Sequence, residues 1–175
     1  MPEDEKLHEK HHQAVTSIPR FRGWSSEEAM EINDWSEHKG RVIHLTPGHK
    51  NMSSEFVTEI INKMELVFGS QEDHEKFHVY LAAYESKVVG IATVKESVVA
   101  KKEGTLKRVA LGVQRLFVRP EYRRRSIASV MLKTIVMIHK KGELLDLQDD
   151  VAFSTPTHEG LSLIQKLIGE NFYVF

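Results

Sequence analysis

Residues 116–135, LFVRPEYRRRSIASVMLKTI, constrain the fold more than any other stretch of the chain. An apolar, strand-like run meets Pro120, and Arg123, Arg124 and Arg125 follow. The small residues Ser126, Ala128 and Ser129 come next, and a helical pattern begins at Ile127. The first N–H groups of a helix have no intrahelical acceptor, and the helix dipole adds partial positive charge there. Arginine at that end opposes the dipole, a local cost that makes sense if an anion compensates. Small residues let such an anion approach the backbone. A pyrophosphate suits this turn better than DNA, because the basic run is only three residues long. The same arginines also fit a solvated helix start paired with Glu121 or Asp149.

The flanking sequence supplies a sheet for this unit. GRVIHLTPG (40–48) reads as a short strand stopped by Pro47-Gly48. Ser53 or Ser54 caps a helix with Glu55 in its first turn, and Phe56, Ile60, Met64, Val67 and Phe68 share one face up to Gly69. FHVYLAAYESKVVGIATV (77–94) predicts two strands joined at Glu85-Ser86-Lys87, and RVALGVQRLFV (108–118) a third. Val130, Met131, Ile135 and Ile138 form the apolar face of the helix that begins at Ile127 and ends near Gly142. VAFS (151–154) predicts a buried strand. Leu161, Ile164, Leu167 and Ile168 mark a last helix stopped at Gly169, and NFYVF closes the chain as a strand. Antiparallel hairpins followed by a βαβ-like half make an α/β layer with a mixed sheet. There is no internal repeat and no low-complexity linker. Residues 1–20 form a polar, His-rich segment, and 21–175 a single domain of ordinary size.

Charge and composition narrow the function. A formal net charge of −1 gives no global attraction to nucleic acid or acidic membranes, so any basic function is local. With no cysteine there is no disulfide and no thiolate metal site. No apolar run reaches the roughly 18 residues that a membrane span needs. MPEDEKLHEKHH lacks the apolar core of a signal peptide. A soluble, intracellular protein is expected, without membrane association and without sequence-specific nucleic-acid binding.

VRPEYRRRSIAS resembles motif A of the GCN5-related N-acetyltransferases (GNAT), Arg/Gln-x-x-Gly-x-Gly/Ala, here Arg123-x-x-Ser126-x-Ala128. A narrower resemblance is denser. GVQRLFVRPEYRRRSIASVML, VAFSTPTHEG and the final NFYVF are similar to the establishment-of-sister-chromatid-cohesion (ESCO-type) lysine acetyltransferases. FRGW (21–24), GRVIHLTP and KVVG (87–90) fall in order with it. The resemblance implies a GNAT-like α/β fold, with a mixed, mostly antiparallel sheet flanked by helices, and acetyl-CoA as the cofactor. The backbone of Leu116, Phe117 and Val118 would pair with the pantetheine arm. Arg123, Arg124, Arg125, Ser126, Ile127, Ala128 and Ser129 would hold the pyrophosphate. The acceptor would be a protein lysine on a cohesin ATPase-head subunit, in the nucleus, among chromatin-associated proteins. A strand amide in RLFV would serve the developing oxyanion.

Three departures accompany the resemblance. Gln114 and Thr155 stand where that family has serine and aspartate at the transfer centre, beside Ser154. Threonine cannot act as a base at neutral pH, and glutamine cannot take a proton. His158, Glu159 and Glu96 are the other candidates for that task. Second, the family's long insertion is replaced by the short SVVAKKEGTLKRVA. Third, PEDEKLHEKHH resembles the second half of the family's zinc finger. His8 and His12 keep the His-x3-His spacing, and His11 adds a possible third ligand. Without the paired cysteines the four ligands of a structural site are not met, and no metal is expected. His38, His44, His49, His74, His78 and His139 are scattered and read as surface or core residues. Besides an active lysine acetyltransferase, the sequence admits a weak or inactive acetyl-CoA-binding module, an acetyltransferase for small amines or N-termini, and a nucleic-acid binder.

Overall fold

The computed structural model describes residues 20–32, 40–52, 54–68, 76–139 and 143–175. The elements run β1 (Glu28–Ile32), β2 (Gly40–Leu45), α1 (Glu55–Phe68), β3 (His78–Tyr84), β4 (Lys87–Lys102), β5 (Thr105–Val118), α2 (Ile127–Ile138), β6 (Val151–Phe153), α3 (His158–Ile168) and β7 (Tyr173–Val174). They build one seven-stranded sheet in chain order. β1 to β5 are antiparallel neighbours. β6 then lies parallel to β5, and β7 parallel to β6, each reached through a helix. This is the expected mixed, mostly antiparallel sheet flanked by helices.

Local chemistry accounts for the boundaries. The Val57 amide donates to Ser54 Oγ at 3.3 Å, which caps α1. Its buried face carries Val57, Ile60 and Ile61, whereas Phe56 is only half-buried. The side chains of Met64, Val67 and Phe68, and the expected stop at Gly69, lie outside the described residues. Thr157 caps α3 by accepting from the Gly160 amide at 3.2 Å, and Gly169 ends that helix at φ 84°. The turn from β3 to β4 places Glu85 and Ser86 at φ 47° and 59°. Two left-handed residues match the twist of a tight hairpin, a conformation usually left to Asn and Gly.

Two elements differ from the sequence reading. β1 was not expected; EAMEI is short and half charged, and its pairing with β2 makes it a strand. The stretch 95–107 is not a loose connection. β4 continues to Lys102 and β5 starts at Thr105, so 87–118 is one long hairpin turning at Glu103-Gly104. Lysines and glutamates on its solvated side hide the strand signal. Its inner side buries Ala100 and Val109 against Ala152 and Tyr173, with Val98 and Phe175 packed on them. Lys101 pairs with Val174, so β4, β5, β6 and β7 close on themselves at this end.

The sheet separates two larger cores. One carries Ile43, Leu45, Val79, Leu81 and Ile91 with α1, sealed by Phe21, Trp24 and Phe56. Phe21 stacks on Phe56 at 4.9 Å and meets Trp24 edge-on at 4.7 Å. The other carries Tyr80, Val94, Leu111 and Val113 under Met131, Leu132, Ile135 and Ile164 of α2 and α3. Gly90 lets α2 lie close. A Cβ there would stand 3.0 Å from Met131 Sδ and 3.2 Å from the Phe117 carbonyl oxygen. Among the described residues, no helix is long and apolar enough to cross a membrane.

Candidate active site

β5 carries the site because its two neighbours part company along it. β6 pairs only with Leu111, Gly112 and Val113, and the Ser154 amide adds one more bond to the Val113 carbonyl at 3.0 Å. The chain then turns away through Pro156 into α3. β5 continues as Arg115–Val118, still paired with β4 from Thr93 back to Gly90. Among the described residues no strand lies along the other side of Leu116, Phe117 and Val118. Gln114 marks the fork. The β4–β5 register passes from Thr93↔Arg115 to Val94↔Val113, leaving Gln114 as the extra residue of a bulge.

The open edge leads to the start of α2. Ser126 occupies the N-cap in the left-handed conformation, φ 60° and ψ 7°, with no side-chain cap. The amides of Ile127, Ala128 and Ser129 therefore point out of the helix end without intrahelical acceptors. Ala128 and Ser129 are half-buried. A Gly-rich pattern here serves the left-handed turn and close approach, and Ser126 achieves the same turn at some conformational cost. Arg124 is also left-handed, at φ 63°.

The three arginines differ in role. Arg124 and Arg125 are exposed, and Arg125 lies over the Tyr122 ring at 5.3 Å. Arg123 is held down. Its Nε donates to the Val118 carbonyl at 3.0 Å and its guanidinium meets Glu159 Oε2 at 2.8 Å. This pair ties the turn to the first turn of α3. Arg123 thus finds a carboxylate, though not Glu121 or Asp149; Glu121 pairs with the buried Arg119 at 3.0 Å.

At the fork, Ser154 Oγ donates to the Gln114 carbonyl at 2.5 Å. The structure brings Gln114 and Ser154 together, with exposed Thr155 next in the chain. Of the other candidates, Glu159 is engaged by Arg123 and His158 is exposed on α3. Glu96 lies on β4 beyond the bulge and belongs to a different cluster.

That cluster is what the sequence reading missed. His44 of β2, His78 of β3 and His139 at the end of α2 converge between sheet and helix, with ligand-capable nitrogens all within 4.8 Å of one another. His44 Nε2 lies 2.9 Å from His78 Nδ1. His139 bonds the Tyr80 hydroxyl through Nδ1 at 2.8 Å and Glu96 through Nε2 at 2.9 Å. Burial, reinforced by His78, His139 and His49, pushes the His44 pKa down to about 3. Burial and His139 push that of His78 down to about 4, against the raising effect of Glu96. No spacing rule joins residues so far apart; the only trace is a histidine within each of two strands. His8, His11 and His12 lie outside the described residues.

A mixed, mostly antiparallel sheet flanked by helices, with an open strand edge running into an uncapped helix N-terminus, is a GNAT-like fold. Comparison with known proteins narrows that class. The family model described as ESCO1/2 acetyl-transferase matches residues 107–175. N-acetyltransferase eco of Drosophila melanogaster is 26% identical over 99% of this chain, which spans 18% of that relative's length. The xEco2 acetyltransferase domain superposes with a TM-score of 0.74 at 18% identity, over 87% of this chain and 98% of that one. The same domain bound to a K105-CoA conjugate gives 0.71 at 19% identity, over 86% and 98%. The chain is thus similar to the ESCO-type acetyltransferases in sequence, and it has their fold.

Proposed function

We propose that the chain is an N-acetyltransferase that transfers acetyl from acetyl-CoA to a protein lysine. The observation that carries this reading is the open edge of β5 at residues 116–118, which runs into the uncapped start of α2. Bound acetyl-CoA supplies the acetyl group as an activated thioester. Leu116, Phe117 and Val118 would take its pantetheine arm as an added strand. The amides of residues 126–129, with Arg124 and Arg125, would hold its pyrophosphate. Arg123 braces the corner through Val118 and Glu159, and its remaining guanidinium N–H groups would face the phosphates.

At the other end, Gln114, Ser154 and Thr155 border the transfer centre. Ser154 fixes the Gln114 backbone carbonyl, and the Gln114 side chain would orient the incoming amine. A lysine with a pKa of about 10.4 is neutral only about one part in a few thousand at pH 7. None of these three side chains can take its proton. A water wire to bulk solvent would carry it away. The K105-CoA conjugate of the xEco2 domain supports a lysine acceptor, and the name of the fly relative supports N-acetyl transfer. By the same resemblance, the substrate is a cohesin ATPase-head subunit, and the setting is sister chromatid cohesion in the nucleus. Residues 21–175 would form the acetyltransferase domain.

Restoring a carboxylate tests the chemistry. Thr155→Asp is expected to raise the rate of lysine acetylation by about 100-fold or more, the lower end of what a positioned general base contributes. An unchanged rate would show that another group already accepts the proton. A second reading, a module that binds acetyl-CoA without turnover, is favoured by Thr155 standing where the resemblance expects aspartate. Cofactor binding without acetylation, and activity gained only by Thr155→Asp, would select it.

A further inference from the structure

The histidine cluster lies apart from the β5 fork, and the acetyl-transfer reading makes no use of it. His44 and Tyr80 are cross-strand partners, and His78 is the diagonal neighbour on the same face. His139 closes the cluster from above as the residue that ends α2. His44 and His139 are 3% and 8% exposed. Three imidazoles from three separate elements thus share one buried point.

Their orientation is specific. His78 and His139 both aim Nε2 at the same carboxylate oxygen of Glu96, at 3.5 Å and 2.9 Å. Glu96 accepts from His139 Nε2–H, which leaves His139 Nδ1 as a lone pair, and its longer 3.5 Å approach to His78 Nε2 favours the same tautomer there. His78 Nδ1 then faces His44 Nε2, while His139 Nδ1 faces the Tyr80 hydroxyl. A carboxylate behind a ligating imidazole is the usual outer partner of a metal-bound histidine, since it fixes the tautomer and raises ring basicity. Zinc takes imidazole nitrogen at about 2.0–2.1 Å, which sets tetrahedral ligands about 3.3 Å apart. The 2.9 Å between His44 Nε2 and His78 Nδ1 is close to that spacing, and one nitrogen of each of the three rings lies within 4.8 Å of the others.

We propose that His44 Nε2, His78 Nδ1 and His139 Nδ1 form a binding site for a divalent transition-metal ion, Zn2+ above all, with Glu96 as the carboxylate that orients two of the rings. Imidazole donors without thiolate suit Zn2+ and its neighbours in the first row, and exclude Mg2+ and Ca2+ as natural occupants. Three protein ligands leave a fourth position for water or for Tyr80. The ion would staple the end of α2 to β2 and β3, so its first effect is on stability.

The test uses the full chain carrying His8→Gln, His11→Gln and His12→Gln, which removes the N-terminal imidazoles from competition. After chelation, titration with Zn2+ by calorimetry and with Co2+ by visible absorption is expected to show one ion per chain. Co2+ should give the intense bands of a tetrahedral site, and saturation should raise the melting temperature. His78→Asn should abolish binding, and Glu96→Gln should weaken it by about 10- to 100-fold, the usual cost of losing such an outer partner. His49→Ala, outside the ligand set, should leave the one-ion stoichiometry and the Co2+ spectrum unchanged. Should His78→Asn fail to fold, histidine ring NMR of the parent chain decides, since Zn2+ must shift the Nδ1 signals of His78 and His139. Absence of binding at micromolar metal, or binding indifferent to both Glu96→Gln and His78→Asn, would overturn the site.

Discussion

Ser126 shows how one residue can keep a conformation after losing the amino acid that makes it easy. Its left-handed backbone opens the end of α2, where the resembling pattern has glycine. A left-handed conformation costs a non-glycine residue about 1–2 kcal/mol, whereas glycine's extra freedom in the unfolded chain costs roughly 0.5–1 kcal/mol. Ser126→Gly should therefore be neutral to stabilising by about 1 kcal/mol and keep cofactor affinity, as denaturant melts and calorimetry would show. Ser126→Val should lose both. A strong loss of stability in the glycine variant would mean that the turn is held by something other than its backbone. The sequence displayed the small residues and arginines of this corner but not their division of labour. Only the fold reveals that Arg123 is spoken for by Val118 and Glu159 while Arg124 and Arg125 face outward. That partner comes from α3, thirty-six residues along, beyond the reach of any local pattern.

At the scale of elements, helices and buried strands were legible because their apolar spacing is strong: β3, β6 and the start of α2 fall where periodicity puts them, while α2 ends at Ile138, short of Gly142, which lies outside the described residues. The β4–β5 hairpin was not, because its distal half buries one face only against a small core and presents charge on the other. The histidine cluster was illegible for a related reason. It is assembled by register between β2 and β3 and by the end of α2, and each histidine alone looks like a polar interruption. Placement of α2 depends on Gly90. A methyl group there would press on Met131 Sδ and the Phe117 carbonyl. Gly90→Ala is expected to destabilise by about 1–3 kcal/mol, the usual cost of overpacking. It should also weaken acetyl-CoA binding, since α2 carries the phosphate-facing amides. Unchanged melting and affinity would show that the helix is not seated through this contact.

For the molecule as a whole, the histidine cluster links stability to pH. Both His44 and His78 sit below their ordinary value of 6.5, so the folded chain resists protons that the unfolded chain accepts. Their contribution is complete above about pH 6.5 and is lost as pH falls from there, towards about 4 for His78 and about 3 for His44, at up to about 1.4 kcal/mol per pH unit for each ring. Glu96 opposes this loss at His78, while His49 and His139 add to it. With chelator present, the melting temperature should drop between pH 7 and pH 5.5, and His44→Phe should flatten that slope. A flat profile in the parent chain would contradict the neutral, buried assignment.

The central claim concerns the other end of α2, and calorimetry with acetyl-CoA tests it most directly. The account predicts one molecule bound per chain. Arg124→Ala with Arg125→Ala should weaken it at least about tenfold, a loss near 1.4 kcal/mol. The affinity should fall with salt, as phosphate contacts require. No heat of binding at millimolar acetyl-CoA, or an affinity unaffected by removing both arginines, would contradict it.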